Sequence, residues 1–196
     1  MVNPYACFDS LSICRRLQHH LGNSAVAEVY LFAYLSCLLS LFKQHPASSW
    51  QYRFSITEDG YPYSTDLDNA IKTLIGSVLL ESDEYRYVRL TKEGNEIYES
   101  LSGLEENSQR EPFIEGACST VLAMPVGLIR RSLSTEPEIR GALELSQSRI
   151  LLSTAGLDSL HDQFNELSAA IGIDTKDLMV PAMVWLEYLA ESRSAA

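Results

Sequence analysis

The chain has 196 residues and a mass of 21.9 kDa, and its 26 acidic and 15 basic residues give a formal charge of -11. Hydrophobic residues make up 46% of it, which is typical of a globular protein and excludes a disordered one. The acidic balance argues against nucleic-acid binding that depends on neutralising phosphates across a broad surface.

The first predicted element is an amphipathic helix in residues 1–23. Leu11, Leu17 and Leu21 recur along one face at helical spacing, and Gly22 is a residue that commonly ends a helix. The helix lies outside the domain predicted from the elements that follow. We therefore expect a partner to bind either these three leucines, as exposed positions, or the C-terminal helices.

A long apolar helix is predicted next, from Ser24 to near Lys43. Its Val29–Phe42 segment contains no charged residue. A membrane span needs about 20 apolar residues, so this shorter run predicts a helix buried inside a domain or against a partner. Phe42, at its end, is a further candidate interface residue.

Alternating helix and strand patterns continue through residues 24–104. The next predicted elements are a short strand at Gln51–Ile56, a turn at Thr57–Pro62 and a helix at Ser64–Ile75 that Ser64 caps. Two strands follow, at Val78–Leu80 and Tyr85–Leu90, and the turn Glu81–Glu84 joins them. Another helix is predicted to start at Thr91. This order is the plan of a winged-helix domain. The hairpin in residues 78–90 is the expected wing, and Ser64–Ile75 occupies the place of a recognition helix.

The remainder of the chain is predicted to be helical. Residues 105–112 are polar and acidic and are expected to form a linker, and residues 113–196 return to helical periodicity, with Pro125 as an interruption. The predicted fold class is mainly α with a small β-hairpin: a winged-helix core with an N-terminal helix and a C-terminal helical region.

No motif in the sequence indicates an enzyme, a metal site or a cofactor. The cysteines form no CxxC pair, and His19 and His20 are adjacent, so their rings should point away from each other on a helix. His161 is expected at the surface. We predict no catalytic residue, no metal, no cofactor and no small-molecule substrate. Reduced cysteines and the absence of a signal-peptide pattern favour the cytoplasm.

DNA binding through the predicted recognition helix is opposed by local charge. That helix carries a single cation, Lys72, beside several acidic residues, whereas DNA recognition uses Arg, Lys, Asn and Gln. Arg86, Arg89 and Lys92 lie close by, and Arg53 can join them across the short sheet. Two interpretations are open: a modest basic patch with Lys72, or a solvated strand face whose cations balance nearby acids. We therefore expect any DNA contact to be weak or indirect.

One stretch of the predicted domain resembles a known family. Phe54, Gly60, the Pro62-Tyr63-Ser64 run and Leu67 resemble a Phe…Gly-Pro-Tyr-Ser…Leu signature found in small bacterial winged-helix proteins, including the Panacea antitoxin family. The family pattern continues with a Gly-Leu-Ile strand and with Tyr-x-Leu-Thr-x-x-Gly. The corresponding positions here are Val78-Leu79-Leu80, and then Tyr87, Leu90-Thr91 and Gly94. The chain departs from the signature by placing Tyr61 between its glycine and its proline.

Similar modules also resemble the small middle component of bacterial ABC-three-component and Lamassu-type defence systems. That resemblance implies a non-catalytic accessory subunit that assembles with an SMC-like ABC ATPase and an effector nuclease. The alternative is a winged-helix transcriptional regulator or antitoxin that binds DNA through Lys72, Arg86, Arg89 and Lys92.

Overall fold

The computed structural model describes residues 2–192, a mainly helical chain with two small sheets. The helices are α1 Pro4–Leu21, α2 Val26–Phe42, α3 Thr65–Gly76, α4 Lys92–Ser102, α5 Glu105–Ser108, α6 Glu111–Ser119, α7 Val126–Leu133, α8 Pro137–Glu144, α9 Thr154–Ile171 and α10 Met179–Ser192. The strands are β1 Ser24–Ala25, β2 Ser55–Ile56, β3 Pro62–Tyr63, β4 Leu80–Asp83, β5 Tyr87–Leu90 and β6 Arg149–Ile150. Short 3-10 turns occupy Ala47–Trp50 and Thr120–Leu122.

The first sheet is antiparallel with the strand order β1-β5-β4. Ser24 pairs with Val88, and Leu80 pairs with Leu90, so the predicted hairpin gains a third strand from the segment between α1 and α2. The hairpin turn lies a few residues later than predicted. Glu84 and Tyr85 adopt left-handed backbone conformations there, and residues 81–83 of the predicted turn belong to β4.

The second sheet has the order β3-β2-β6 and inserts a hairpin between α2 and α3. Only Ser55–Ile56 of the predicted strand is regular. Its other edge pairs with Arg149 and Ile150 from the C-terminal half. The two halves of the chain therefore share a sheet, which no local pattern in the sequence indicates.

Helix α2 forms the centre of the core, as its uninterrupted apolar sequence predicts. Every residue from Val29 to Phe42 is buried, and the helix packs against α1, α6, α9 and α10. Within residues 2–192 no single helix is long and apolar enough to cross a membrane, while one pair bent by 116°, Glu105–Leu122 with Val126–Leu133, meets the length and composition criteria jointly.

Helix α1 is part of this core, and the expectation that its leucines are exposed is wrong for two of the three. Leu11 and Leu17 are 1% and 0% exposed, because α1 is surrounded by α2, α3, α4, α6 and β5. Phe42 is also buried, with its ring centroid 6.1 Å from that of Phe164. Leu21 alone among the four interface candidates is exposed, at 39%.

The predicted linker, residues 105–112, is also ordered structure that contacts the core. It contains α5 and the beginning of α6, and two of its polar residues, Asn107 and Arg110, are buried. Asn107 donates a hydrogen bond to the carbonyl of Leu101, which fixes the corner between α4 and α5. Asn107 and Arg110 therefore have specific partners in the protein, whereas Glu105, Glu106, Ser108 and Gln109 are exposed.

The caps predicted for α3 and α4 are confirmed. The backbone N–H of Leu67 donates to the Ser64 hydroxyl, and that of Gly94 donates to the Thr91 hydroxyl. These bonds satisfy amides that the first turn of a helix leaves without intrahelical partners. Ser64 directly follows β3 of the second sheet, and Thr91 directly follows β5 of the first.

Candidate functional site

The exposed face of α3 and the β4–β5 hairpin is the first candidate site, because it carries most of the predicted DNA contacts. Helix α3 buries Leu67, Ala70, Ile71 and Leu74 against the core. Its polar face therefore points outward, and Lys72 is 58% exposed. Val88 and Leu90 of the hairpin face inward, which leaves Arg89 on the outer surface.

Lys72 is held by Asp68 one turn earlier on α3. The Lys72 ammonium donates a hydrogen bond of 2.7 Å to Asp68, which also accepts bonds of 2.6 Å from the Tyr85 hydroxyl and 3.1 Å from the Tyr30 hydroxyl. Partial burial alone would raise the pKa of Asp68, but these hydrogen bonds hold it below its ordinary value. Asp68 is therefore a carboxylate with three donors, and it neutralises the only cation of α3.

Two other predicted contacts are paired in a similar way. Arg89 on β5 donates to Glu81 on β4 at 2.5 Å, directly across the hairpin, and Lys92 lies 3.8 Å from Glu96 on α4. Both pairs are exposed, so each contributes less than about 1 kcal/mol to stability. The pairs matter more for the electrostatic potential of the surface, because the carboxylate beside each cation offsets its positive charge.

The predicted basic patch is also divided between two regions of the fold. Arg86 lies in the hairpin turn of the first sheet, whereas Arg53 precedes β2 in the second sheet and lines a groove with Ile150 and Thr154. Among residues 2–192, neither arginine has a carboxylate within 4.0 Å. Arg53 therefore adjoins a different sheet from Arg86 and Arg89, so the expected joining across one short sheet is not seen.

A second candidate is the buried ion pair between Asp9 on α1 and Arg110 at the start of α6. The pair is joined by two hydrogen bonds of 2.8 and 2.5 Å, and the Tyr52 hydroxyl donates to Asp9 at 2.6 Å. Burial alone would lower the pKa of Arg110, but the charge of Asp9 and its hydrogen bonds raise it above its ordinary value. The guanidinium stacks 3.9 Å from the Trp50 ring centroid.

This ion pair borders a cleft of about 230 Å³ that is lined by aromatic and polar residues, including Tyr5, His45 and Phe113. The cation that such an aromatic wall would attract is already present as Arg110, and the Asp9 carboxylate already accepts three hydrogen bonds. The arrangement is that of a structural clamp between α1, α6 and the segment before β2.

The nucleophilic and metal-binding residue types do not converge on a site. Cys14, Cys37 and Cys118 are buried thiols, and burial raises the pKa of Cys14 to about 12. His19 and His20 form an edge-to-face contact with ring centroids 5.0 Å apart, so the expectation that the rings diverge is wrong. In the part of the chain that the structure describes, no three His, Cys, Asp or Glu residues are grouped to hold a metal ion.

An exposed apolar row lies on the last helix, α10, within the C-terminal helical region, which the sequence predicts as the alternative docking surface without singling out residues. Val180, Val184 and Tyr188 recur at intervals of four along α10 and are 42%, 37% and 52% exposed. Val184 and Tyr188 line a groove of about 190 Å³ between α9 and α10, together with Leu167 and Trp185. The sequence shows this spacing, but the spacing alone does not tell whether these residues form the buried or the exposed face of the helix.

Comparison with known proteins found no matching family model, no matching curated protein and no matching solved structure.

Proposed function

We propose that this chain is a non-catalytic winged-helix adaptor that binds a protein partner and does not read DNA. The order α1-β1-α2-α3-β4-β5 and the strand order β1-β5-β4 support the winged-helix interpretation. In that interpretation α1 is the first helix of the domain, α3 is in the recognition position, and β4–β5 is the wing. The β2–β3 hairpin is an addition between the second and third helices.

The observation that carries the proposal is the pairing of cations with carboxylates on the exposed face of α3 and the β4–β5 hairpin, which we call the recognition face. Lys72 on α3 is bonded to Asp68, and Arg89 on the wing is bonded to Glu81. DNA binding draws much of its affinity from cations that replace the counterions of phosphates. A cation already paired with a carboxylate gains less from a phosphate, and the remaining carboxylates of the face repel the DNA backbone.

The family resemblance supports the kind of assembly in which such an adaptor would function. It implies a bacterial defence complex in which an SMC-like ABC ATPase and an effector nuclease supply the chemistry. The chain itself, with a charge of -11, is suited to a partner that presents basic residues. We propose that ATP hydrolysis and nucleic-acid cleavage belong to other subunits of that complex.

A titration with labelled duplex DNA tests the choice between adaptor and regulator. The proposal predicts no saturable binding of the purified chain at about 200 mM salt, and only weak, sequence-independent binding at about 50 mM. The charge-reversed variant Lys72→Glu/Arg89→Glu serves as the control for the recognition face. Tight binding by the wild type that this variant abolishes would overturn the adaptor function in favour of a regulator or antitoxin.

A further inference from the structure

We propose that the groove between α9 and α10 is the docking site for a basic amphipathic helix of the partner protein. The proposal rests on the adaptor function above and names the surface and the kind of partner segment that it binds.

The groove has the apolar lining of a helix-binding surface. Val180, Val184 and Tyr188 form an exposed apolar row along α10. Val184 and Tyr188 of this row line the groove, together with Leu167 of α9 and Trp185. A helix that docks in an apolar groove buries side chains spaced by three or four residues, which matches the spacing of this row. The exposed row is therefore complementary to one face of a partner helix.

The lining of the groove is fixed by the core beneath it. Trp185 is 3% exposed, and its indole N–H donates a hydrogen bond of 2.9 Å to the side-chain oxygen of Gln163 on α9. Its ring also contacts Phe164, which in turn contacts Phe42 of the central helix α2. A groove built on such contacts is preorganised, so docking there costs little ordering of the protein.

The charges around the groove determine the kind of helix that fits it. Neither α9 nor α10 contains a lysine or an arginine, whereas Asp158, Asp162, Glu166, Glu187 and Glu191 are all exposed. Glu166 lines the groove itself. Glu187 and Glu191 share the exposed side of α10 with the apolar row. A partner helix with lysine or arginine flanking its apolar face is complementary to this acidic border.

The same charges disfavour two other occupants. In a symmetric dimer through this groove, the acidic border of one copy would face the acidic border of the other, which costs free energy. An anionic membrane surface would be repelled for the same reason. A basic helix from a different protein is the occupant that satisfies both the apolar row and the carboxylates.

Two fluorescent helical peptides provide the test with the full chain. Both carry leucines at i, i+4 and i+8, and one has lysines on the flanks of this row while the other has glutamates. Binding is measured by anisotropy near physiological salt with the wild type, with Val184→Asp and with Glu187→Lys/Glu191→Lys. The matched controls are Val78→Asp, an exposed valine outside the groove, and Glu58→Lys/Glu105→Lys, an equal change of charge elsewhere.

The lysine peptide is expected to bind the wild type at least about tenfold more tightly than the glutamate peptide. Each groove variant should weaken that binding about tenfold, and the two control variants should not. Thermal unfolding of every variant shows that each is folded. Equal affinity for the two peptides, or groove variants that bind as the wild type does, would overturn the proposal. Two other results would also overturn the proposal. Self-association of the wild type that is lost in Val184→Asp would favour a dimer through the groove, and binding to anionic vesicles that is lost in the same variant would favour a membrane.

The failure of this proposal is distinguishable from the failure of the adaptor function. A protein partner that is purified with the wild type and retained by Val184→Asp would overturn the groove while the adaptor function stands. A chain that retains duplex DNA and no protein would overturn the adaptor function itself.

Discussion

Asp9 and Arg110 form a buried, two-bond ion pair that joins the N-terminal helix to the first turn of α6. The two residues are 101 positions apart, and both have almost no exposed side-chain surface. Next to Arg110, Glu111 accepts hydrogen bonds from Arg16 and, at 2.8 Å, from the Ser12 hydroxyl of α1. Two neighbouring residues of a polar segment thus hold the first helix in the core.

Loss of one charge from the buried pair is expected to destabilise the fold strongly. Arg110→Leu would leave the Asp9 carboxylate buried without its cation, which costs about 3–5 kcal/mol. The control is Arg15→Leu, which breaks the exposed pair with Glu99 and should cost less than about 1 kcal/mol. Denaturant unfolding measures both changes. Similar small losses in the two variants would show that the pair is not the clamp described above.

Removal of the carboxylates that neutralise the recognition face is expected to create DNA affinity. In Asp68→Asn/Glu81→Gln, Lys72 and Arg89 lose their anionic partners, and the face becomes more positive by two charges. The variant should bind duplex DNA more tightly than the wild type and with a steeper dependence on salt. A filter-binding titration at several salt concentrations checks this. Unchanged binding would mean that these pairs do not control the potential of the face.

Gly94 is expected to be irreplaceable by alanine at the start of α4. A Cβ at this position would lie 2.1 Å from the carbonyl oxygen of Leu79, a backbone atom that cannot move aside cheaply. Gly94→Ala should therefore destabilise the protein by at least about 1–3 kcal/mol. At Gly127 in α7 a Cβ would meet nothing within 4 Å. Gly127→Ala should stabilise by about 0.5–1 kcal/mol, and thermal unfolding that ranks the two variants the other way would contradict the packing.

The stability of the fold is expected to fall as Glu136 ionises. Burial raises the pKa of this carboxyl above its ordinary value, against hydrogen bonds from the backbone of Ile139 and Glu138. The folded state therefore binds the proton more tightly than the unfolded chain does, so stability decreases as pH rises from about 4 through the raised value. Glu136→Gln keeps an acceptor oxygen for Ile139 and does not titrate.

Unfolding free energies measured from about pH 4 to about pH 8 test this expectation. The difference in stability between Glu136→Gln and the wild type should shift in favour of the variant as pH rises. The exposed Glu144→Gln is the control. Parallel curves for Glu136→Gln and the wild type would show that the carboxyl of Glu136 is not perturbed in the folded state.

The elements that could be predicted from the sequence are those with a local signal. The apolar run of α2 predicts its burial, Ser64 and Thr91 predict the starts of α3 and α4, and Gly22 predicts the end of α1. In each case the cause lies in nearby residues. It is an uninterrupted apolar run for the burial of α2, a capping hydroxyl for the starts of α3 and α4, and a glycine that tolerates a positive φ for the end of α1.

The features that could not be predicted depend on contacts between distant residues. The pairing of β6 with β2 and of β1 with β5 involves strands of two residues, too short for an alternating pattern. The polar composition of residues 105–112 favours a linker, because the sequence does not show that Arg110 contacts Asp9. Leu11 and Leu17 indicate a docking face for the same reason, since an amphipathic helix shows that one face is covered but not by what.

The i, i+4 spacing of Asp68 and Lys72 is enough to predict their ion pair from the sequence. The hydrogen bonds from Tyr30 and Tyr85 to Asp68 depend on the tertiary structure and could not be predicted. The apolar row on α10 was ambiguous for a different physical reason. That helix is apolar on two sides, and only the packing of Trp185 and Leu186 against the core reveals which side remains exposed.

The most direct test of the adaptor function is purification of the tagged full-length chain from its native host, before and after nuclease digestion, with the recovered chains identified by mass. The account predicts a protein partner in fixed stoichiometry that nuclease treatment does not remove. Recovery of the chain alone, or of proteins that are lost when DNA is digested, would contradict it.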